Sequence, residues 1–163
     1  TVMEEKKLVA YFSCSGVTAR AAHKLAEAAN ADLFEIKPAQ PYTAADINWM
    51  DKSSRSTKEM ADESCRPAIA NKVEDMAQYS VVFVGFPIWW YVAPRIIETF
   101  LESYDFSGKT VVPFFTSGGS GAGKTDAVLH KLCSPATNWK PSKRFSGNPS
   151  AAELKNWLLS LGI

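Results

Sequence analysis

"KLVAYFSCSGVTA", Lys7 to Ala19, is the stretch that decides the fold. Its first seven residues form a short apolar and aromatic run ending in a small polar residue, the pattern of a buried strand. Ser13, Cys14, Ser15, Gly16, Val17, Thr18 and Ala19 then lead into a helix, because Ala22, Leu25, Ala26 and Ala29 recur at helical spacing as far as about Asn30. A hydroxyl- and glycine-rich turn at a helix start is an anion site. Unpaired N–H groups and the positive end of the helix dipole favour a phosphate there, and Ser13, Ser15 and Thr18 add hydroxyl donors. A plain helix cap would use one hydroxyl, Ser15.

Working outward, strand and helix alternate. "LFEI" (Leu33–Ile36) is a second strand, closed by Pro38, and "VVFVG" (Val81–Gly85) is the plainest strand in the chain. Between them Ile69, Val73, Met76 and Ala77 fall on one helical face. Pro94 opens a helix with Ile96, Ile97, Phe100 and Leu101 on one side. "VVPFFTS" (Val111–Ser117) reads as a strand despite Pro113, which cannot donate to a ladder. Val128, Leu129, Leu132 and Cys133 form a further helical stripe. Ser150-x-x-Glu153 is a capping box ahead of Leu154, Trp157, Leu158 and Leu161. Ser134 to Phe145 should hold a fifth strand but is polar and contains Pro135 and Pro141, so that strand is short or irregular. The whole is an α/β pattern, one domain over 1–163, with an open parallel sheet between two helical layers. Pro38–Pro67 is long for a crossover; a helix around Asp46–Glu63 would make it either a lid or an extra packing element.

The bulk numbers agree with an ordinary single domain: 163 residues, 46% hydrophobic, 21% charged and net charge +1. That charge points to no nucleic acid or other polyanion partner. The longest apolar run, roughly Val81 to Val92, is too short for a membrane span and is broken by Pro87. "TVMEEKK" does not read as a signal peptide. Cys14, Cys65 and Cys133 are widely spaced and suggest neither disulfide nor metal, so a cytoplasmic setting is expected. His23 and His130 read as helix-surface residues, and no side chain stands out as catalytic. Arg55, Arg66 and Arg95 read as solvated salt-bridge partners, Cys65 and Cys133 as packing residues.

Ligands of an open parallel sheet bind beyond the carboxyl ends of its strands. After the third strand come Phe86, Pro87, Ile88, Trp89, Trp90 and Tyr91. Two tryptophans and a tyrosine in a row cannot all enter one core, so some face a surface or a planar ligand. After the fourth come Ser117, Gly118, Gly119, Ser120 and Gly121, whose glycines let backbone approach a ligand closely. Gly118-x-x-x-x-Gly123-Lys124-Thr125 also satisfies the P-loop pattern of nucleotide hydrolases. Such a site needs an acidic strand end to position Mg²⁺, whereas the predicted strands end in Ser13, Lys37, Gly85 and Ser117.

Ser13-x-Ser15-Gly16-x-Thr18, then "GFPIWW", then "TSGGSG" resembles the flavodoxin family over nearly the whole chain, including "PY…RP" in the crossover and "KRF" (Lys143–Phe145). The resemblance implies a five-stranded sheet of order 2-1-3-4-5 that binds FMN without a covalent bond. It also implies that Ser13–Ala19 hold the phosphate, that Pro87–Tyr91 flank the isoalloxazine, and that Ser117–Gly121 border its pyrimidine edge. Cys14 is a departure, since its thiol adds nothing obvious to a phosphate loop. Two functions follow. One is an FMN-dependent oxidoreductase passing electrons from NAD(P)H to a quinone-like small acceptor, where a homodimer interface would build the pocket that one domain lacks. The other is a single-domain electron carrier with protein partners; such carriers are typically acidic, and this chain is balanced. Nucleotide binding through Gly118–Thr125 is the remote third. Lys124 reads as a solvated lysine.

Overall fold

Strand β3 (Tyr79–Pro87) is the centre of the sheet, and all but two of its nine residues are buried, as expected of a parallel strand covered on both faces. The computed structural model describes residues 6–13, 16–40, 42–43, 53–62, 65–73, 76–87, 94–116, 129–133, 136–140, 142–145 and 149–161. In these, β1 (Lys6–Tyr11), α1 (Val17–Ala29), β2 (Asp32–Glu35) and α2 (Arg55–Ala61) precede β3. After it come α3 (Arg95–Glu102), β4 (Thr110–Thr116), β5 (Asn138–Trp139), β6 (Lys143–Phe145) and α4 (Ala151–Leu161). The sheet order is β2-β1-β3-β4-β5, with β6 also on β4, and every pairing is parallel.

β5 and β6 are two pieces of one fifth position. From Val111 to Phe114 the fourth strand advances three residues, while its partner advances four, from Trp139 to Lys143. One extra residue interrupts the ladder, as a bulge does. Pro113 explains where. Lys109 O and Val111 O accept from Asn138 N–H and Lys140 N–H at 2.9 and 3.0 Å. Pro113 is two residues further along the same edge, so its missing donor faces the break, where no ladder bond is required.

Alternation along the strands separates two cores. Leu8, Ala10, Val82, Val84 and Phe86 point to one face, under Ile96, Ile97, Phe100 and Leu101 of α3. Val9, Tyr11, Val81, Phe83, Val112 and Phe114 point to the other, under Ala22, Leu25 and Ala26 of α1 and Leu154, Trp157 and Leu158 of α4. The Ser150 half of the predicted capping box is present: Glu153 N–H donates to Ser150 Oγ at 3.1 Å. Leu129 and His130 are helical, and Leu129 is buried with Leu132 and Cys133 packed against the first core. Among the described residues no helix is long and apolar enough to cross a membrane.

Among the described residues the helix expected from Ile69 to Ala77 does not form: residues 69–73 are not helical and Met76–Gln78 make a 3-10 turn. The backbone there is engaged elsewhere. Ile69 bridges Pro38, and Ala39 N–H and Ala70 N–H donate to Ala68 O and Lys37 O at 2.8 and 2.7 Å. Val73 N–H donates to the Tyr104 hydroxyl at 2.8 Å. Ile69 and Val73 reach the core from an extended path that happens to share a helical spacing.

This clamp also closes the base of the long crossover. In its described part, α2 is capped by Ser54, whose Oγ accepts from Thr57 N–H at 3.4 Å. The segment is packed. Tyr42 donates to Glu59 Oε1 at 2.5 Å, lies edge-on to Phe12 at 5.5 Å, and carries the Arg55 guanidinium 3.8 Å above its ring. Residues 44–52, which include the start of the helix expected around Asp46–Glu63, lie outside the described residues.

Candidate functional site

β1, β3 and β4 are adjacent and parallel, so the segments after Tyr11, Pro87 and Thr116 leave the same edge of the sheet. The chain runs from β1 to β2 on one side, then to β3 on the other. The turn after β1 therefore stands where strand order reverses, the place where open parallel sheets bind ligands.

That turn is built by Gly16, the N-cap of α1, at φ 88 and ψ −8. A left-handed backbone favours glycine, which brings no side chain of its own to cap the helix. Gly16 N–H donates to Ser13 Oγ at 3.0 Å, and Gly16 O accepts from Arg20 N–H at 3.1 Å, which starts the helical ladder. Val17, Thr18 and Ala19 occupy the first turn, whose N–H groups have no intrahelical acceptor. Ser13 is spent only as an acceptor in this bond; its own proton remains to be donated. These features fit a phosphate: a preformed turn, donors and the positive end of a helix.

The Thr18 hydroxyl, expected as a further donor, lies 2.7 Å from the Thr116 hydroxyl, with the two residues 1% and 5% exposed. Sequence reasoning did not single out Thr116. The signal was present: Val112, Phe114 and Thr116 alternate onto one face of β4, the face that α1 covers. Thr116 also pairs with Pro87 in the β3–β4 ladder, and Phe12 N–H donates to Gly85 O at 2.9 Å. The three strand ends are thus fixed to one another before their loops begin. Cys14, Ser15, Ile88, Trp89, Trp90, Tyr91, Ser117, Gly118, Gly119, Ser120 and Gly121 lie outside the described residues, as does the P-loop pattern Gly118–Thr125 with Lys124.

Arg95, directly after the aromatic segment, is buried rather than solvated as expected. Its Nη2 donates to Met60 O at 2.9 Å and its Nε to Glu59 O at 3.3 Å, capping the carbonyl end of α2. Its Nη1 pairs with Glu98 at 3.2 Å. Arg66 pairs with Glu98 at 3.3 Å and with Glu102. Burial pushes the Glu98 carboxyl up, against the pull of the Arg95 and Arg66 guanidiniums. Arg55 pairs with Glu59 at 2.8 Å. Arg66 and Arg95 tie the crossover to α3, and Arg55 ties α2 to Gln40 and Tyr42 within the crossover.

One acidic strand end does occur, contrary to the expectation that β2 runs to Lys37. β2 ends at Glu35. It is the edge strand beside β1, with β1 and β3 between it and β4, so it does not serve the loop after β4. Glu35 instead borders a cavity of about 360 Å³ next to Ser13, lined also by Phe12, Lys37, Tyr42 and Ala70. Burial first, and then the Glu35 charge, push the Tyr11 phenol up. His23 and His130 are both exposed. Cys65 and Cys133 are free and half-buried; Cys133 packs on the first core.

A candidate flavoprotein from Bacteroides eggerthii is 50% identical over 98% of this chain and 99% of its own, with a TM-score of 0.90. A second, from Bacteroides uniformis, is 48% identical over 96% and 99%, also at 0.90. A Lactobacillus acidophilus flavoprotein solved in complex with FMN shares the fold, with a TM-score of 0.70 and 23% identity over 86% and 93%. No match was found among curated proteins. The sequence model of the flavodoxin family, however, matches residues 6–161, nearly the whole chain. By that match and by its sheet order, the chain belongs to the flavodoxin family.

Proposed function

We propose that this single flavodoxin-like domain binds FMN, with Ser13–Ala19 around the phosphate, Pro87–Tyr91 beside the isoalloxazine and Ser117–Gly121 along its pyrimidine edge. The observation that carries the reading is Gly16 in its left-handed cap at the start of α1, at the strand-order reversal, with Ser13 folded over it. The FMN complex of the Lactobacillus acidophilus protein supports the same choice of cofactor. Bound FMN supplies the electron-transfer chemistry. The chain's own part is to bind and orient. Ser13 and the first-turn N–H groups would donate to the phosphate. The tryptophans after Pro87 would exclude water, which disfavours added charge on the ring. Backbone N–H groups of Gly118 and Gly119 would favour it.

We further propose an oxidoreductase that takes electrons from NAD(P)H and passes them to a quinone-like small acceptor. Carriers that dock on basic protein partners are typically acidic, and the balanced charge of this chain, net +1, supports a small acceptor over a carrier role. The substrate pocket would be completed by a homodimer, and free Cys65 and Cys133 fit a reduced, cytoplasmic setting. The test is the visible spectrum of the purified protein titrated with FMN, followed anaerobically by NADPH and a small quinone. Stoichiometric binding with bleaching by NADPH and recovery on quinone is the expected result. Binding without bleaching would leave the carrier, and binding of ATP in place of FMN would restore the P-loop.

A further inference from the structure

We propose that Thr116 is a positioning residue for the cofactor's phosphate: its hydroxyl donates to Thr18 and turns the Thr18 proton toward that phosphate. The inference rests on the reading that Ser13–Ala19 hold the phosphate. It begins from the buried hydroxyl pair at 2.7 Å, which joins the first turn of α1 to the last residue of β4. By geometry alone either oxygen can be the donor. If Thr18 donates to Thr116, its lone pairs face the anion; if Thr116 donates to Thr18, the Thr18 proton is released. A phosphate only accepts hydrogen bonds, so its presence selects the second direction. The result is a chain from Thr116 through Thr18 to phosphate oxygen, in which each bond polarises the next.

A threonine near a helix start has a competing option. Its hydroxyl can bond back to a carbonyl three or four residues earlier, and two rotamers are populated for that reason. The contact with Thr116 holds Thr18 in the rotamer that faces β4. The burial of Thr116 keeps water from taking its place as the partner of Thr18. Thr116 itself is held in the β3–β4 ladder opposite Pro87, so the position of the donor is set by the sheet rather than by a loop.

The experiment compares FMN with riboflavin, which lacks the phosphate, on the full chain and on Thr116→Val and Thr116→Ser. Valine keeps the shape and removes the hydroxyl; serine keeps the hydroxyl. Expected for Thr116→Val is FMN affinity weakened by up to about tenfold, the upper end of what one neutral hydrogen bond contributes, with riboflavin affinity unchanged and Thr116→Ser close to the parent. Equal weakening of both ligands would mean that Thr116 only supports the fold, and an unchanged FMN-to-riboflavin preference would overturn the proposal outright. A parent chain that binds both ligands equally would remove the phosphate reading beneath it, and the proposal with it. Thermal unfolding of the ligand-free variants reports folding separately.

Discussion

Gly85→Ala tests the packing that aims the aromatic segment. Gly85 lies opposite Phe114 in the β3–β4 ladder, two residues before Pro87. A Cβ built on it would sit 2.2, 2.5 and 2.9 Å from Cζ, Cε2 and Cε1 of Phe114. Carbon atoms prefer about 3.5 Å or more, so the ring would have to retreat by at least about 1 Å. It has little room, being fully buried and edge-on to Phe145 at 6.2 Å, with Trp157 5.0 Å beyond. Overpacking of this kind costs about 1–3 kcal/mol, and the trapped ring puts this case at about 2–3. For a chain of this length that is a fall in Tm of roughly 5–10 °C. Urea unfolding followed by fluorescence of the five tryptophans measures it. Phe114→Ala alone should cost about 3–5 kcal/mol through its cavity. In that background Gly85→Ala should be neutral or stabilising, because the clash is gone and the new methyl fills part of the void. A double variant whose cost equals the sum of the singles to within about 0.5 kcal/mol would refute the reasoning.

Arg95→Leu leaves the last carbonyls of α2 uncapped and Glu98 with Arg66 as its remaining guanidinium; a loss of about 3–5 kcal/mol is expected by chemical denaturation, since one partner of a buried pair is removed. Gly16→Ala meets no atom within 4 Å but must hold φ 88. It should cost about 1–2 kcal/mol in the unfolding curve and weaken FMN more than riboflavin. Burial pushes the Cys133 thiol up to about 11 from an ordinary 9.0. The native state then keeps its proton longer than the unfolded chain, so stability is full below about pH 9 and is lost as pH rises toward 11. At pH 8 the thiolate fraction is about a hundredfold below that of an unshifted thiol, so alkylation at Cys133, read by peptide mass mapping, should be slower in proportion. Alkylation at the rate of a free thiol would sink that account.

The sequence by itself determined what depends on neighbours along the chain. Apolar periods located β1, β3, β4, α1 and α3; the Ser150 and Glu153 pair located α4; and the alternation of strand, polar turn and helix pointed to the parallel sheet. Local chemistry also drew attention to Gly16, because a glycine between hydroxyls at a helix start has few other uses. What the tertiary structure decided was every matter in which distant segments compete for the same backbone or side chain. The spacing of Ile69 and Val73 is helical, yet Lys37, Ala39 and Tyr104, far away in sequence, take the hydrogen bonds a helix would need. Arg95 looked like a solvated cation until α2 and Glu98 closed around it. Thr116 met Thr18 across 98 positions of chain, a distance over which no local pattern carries information; only the packing of α1 on β4 brings the two hydroxyls together.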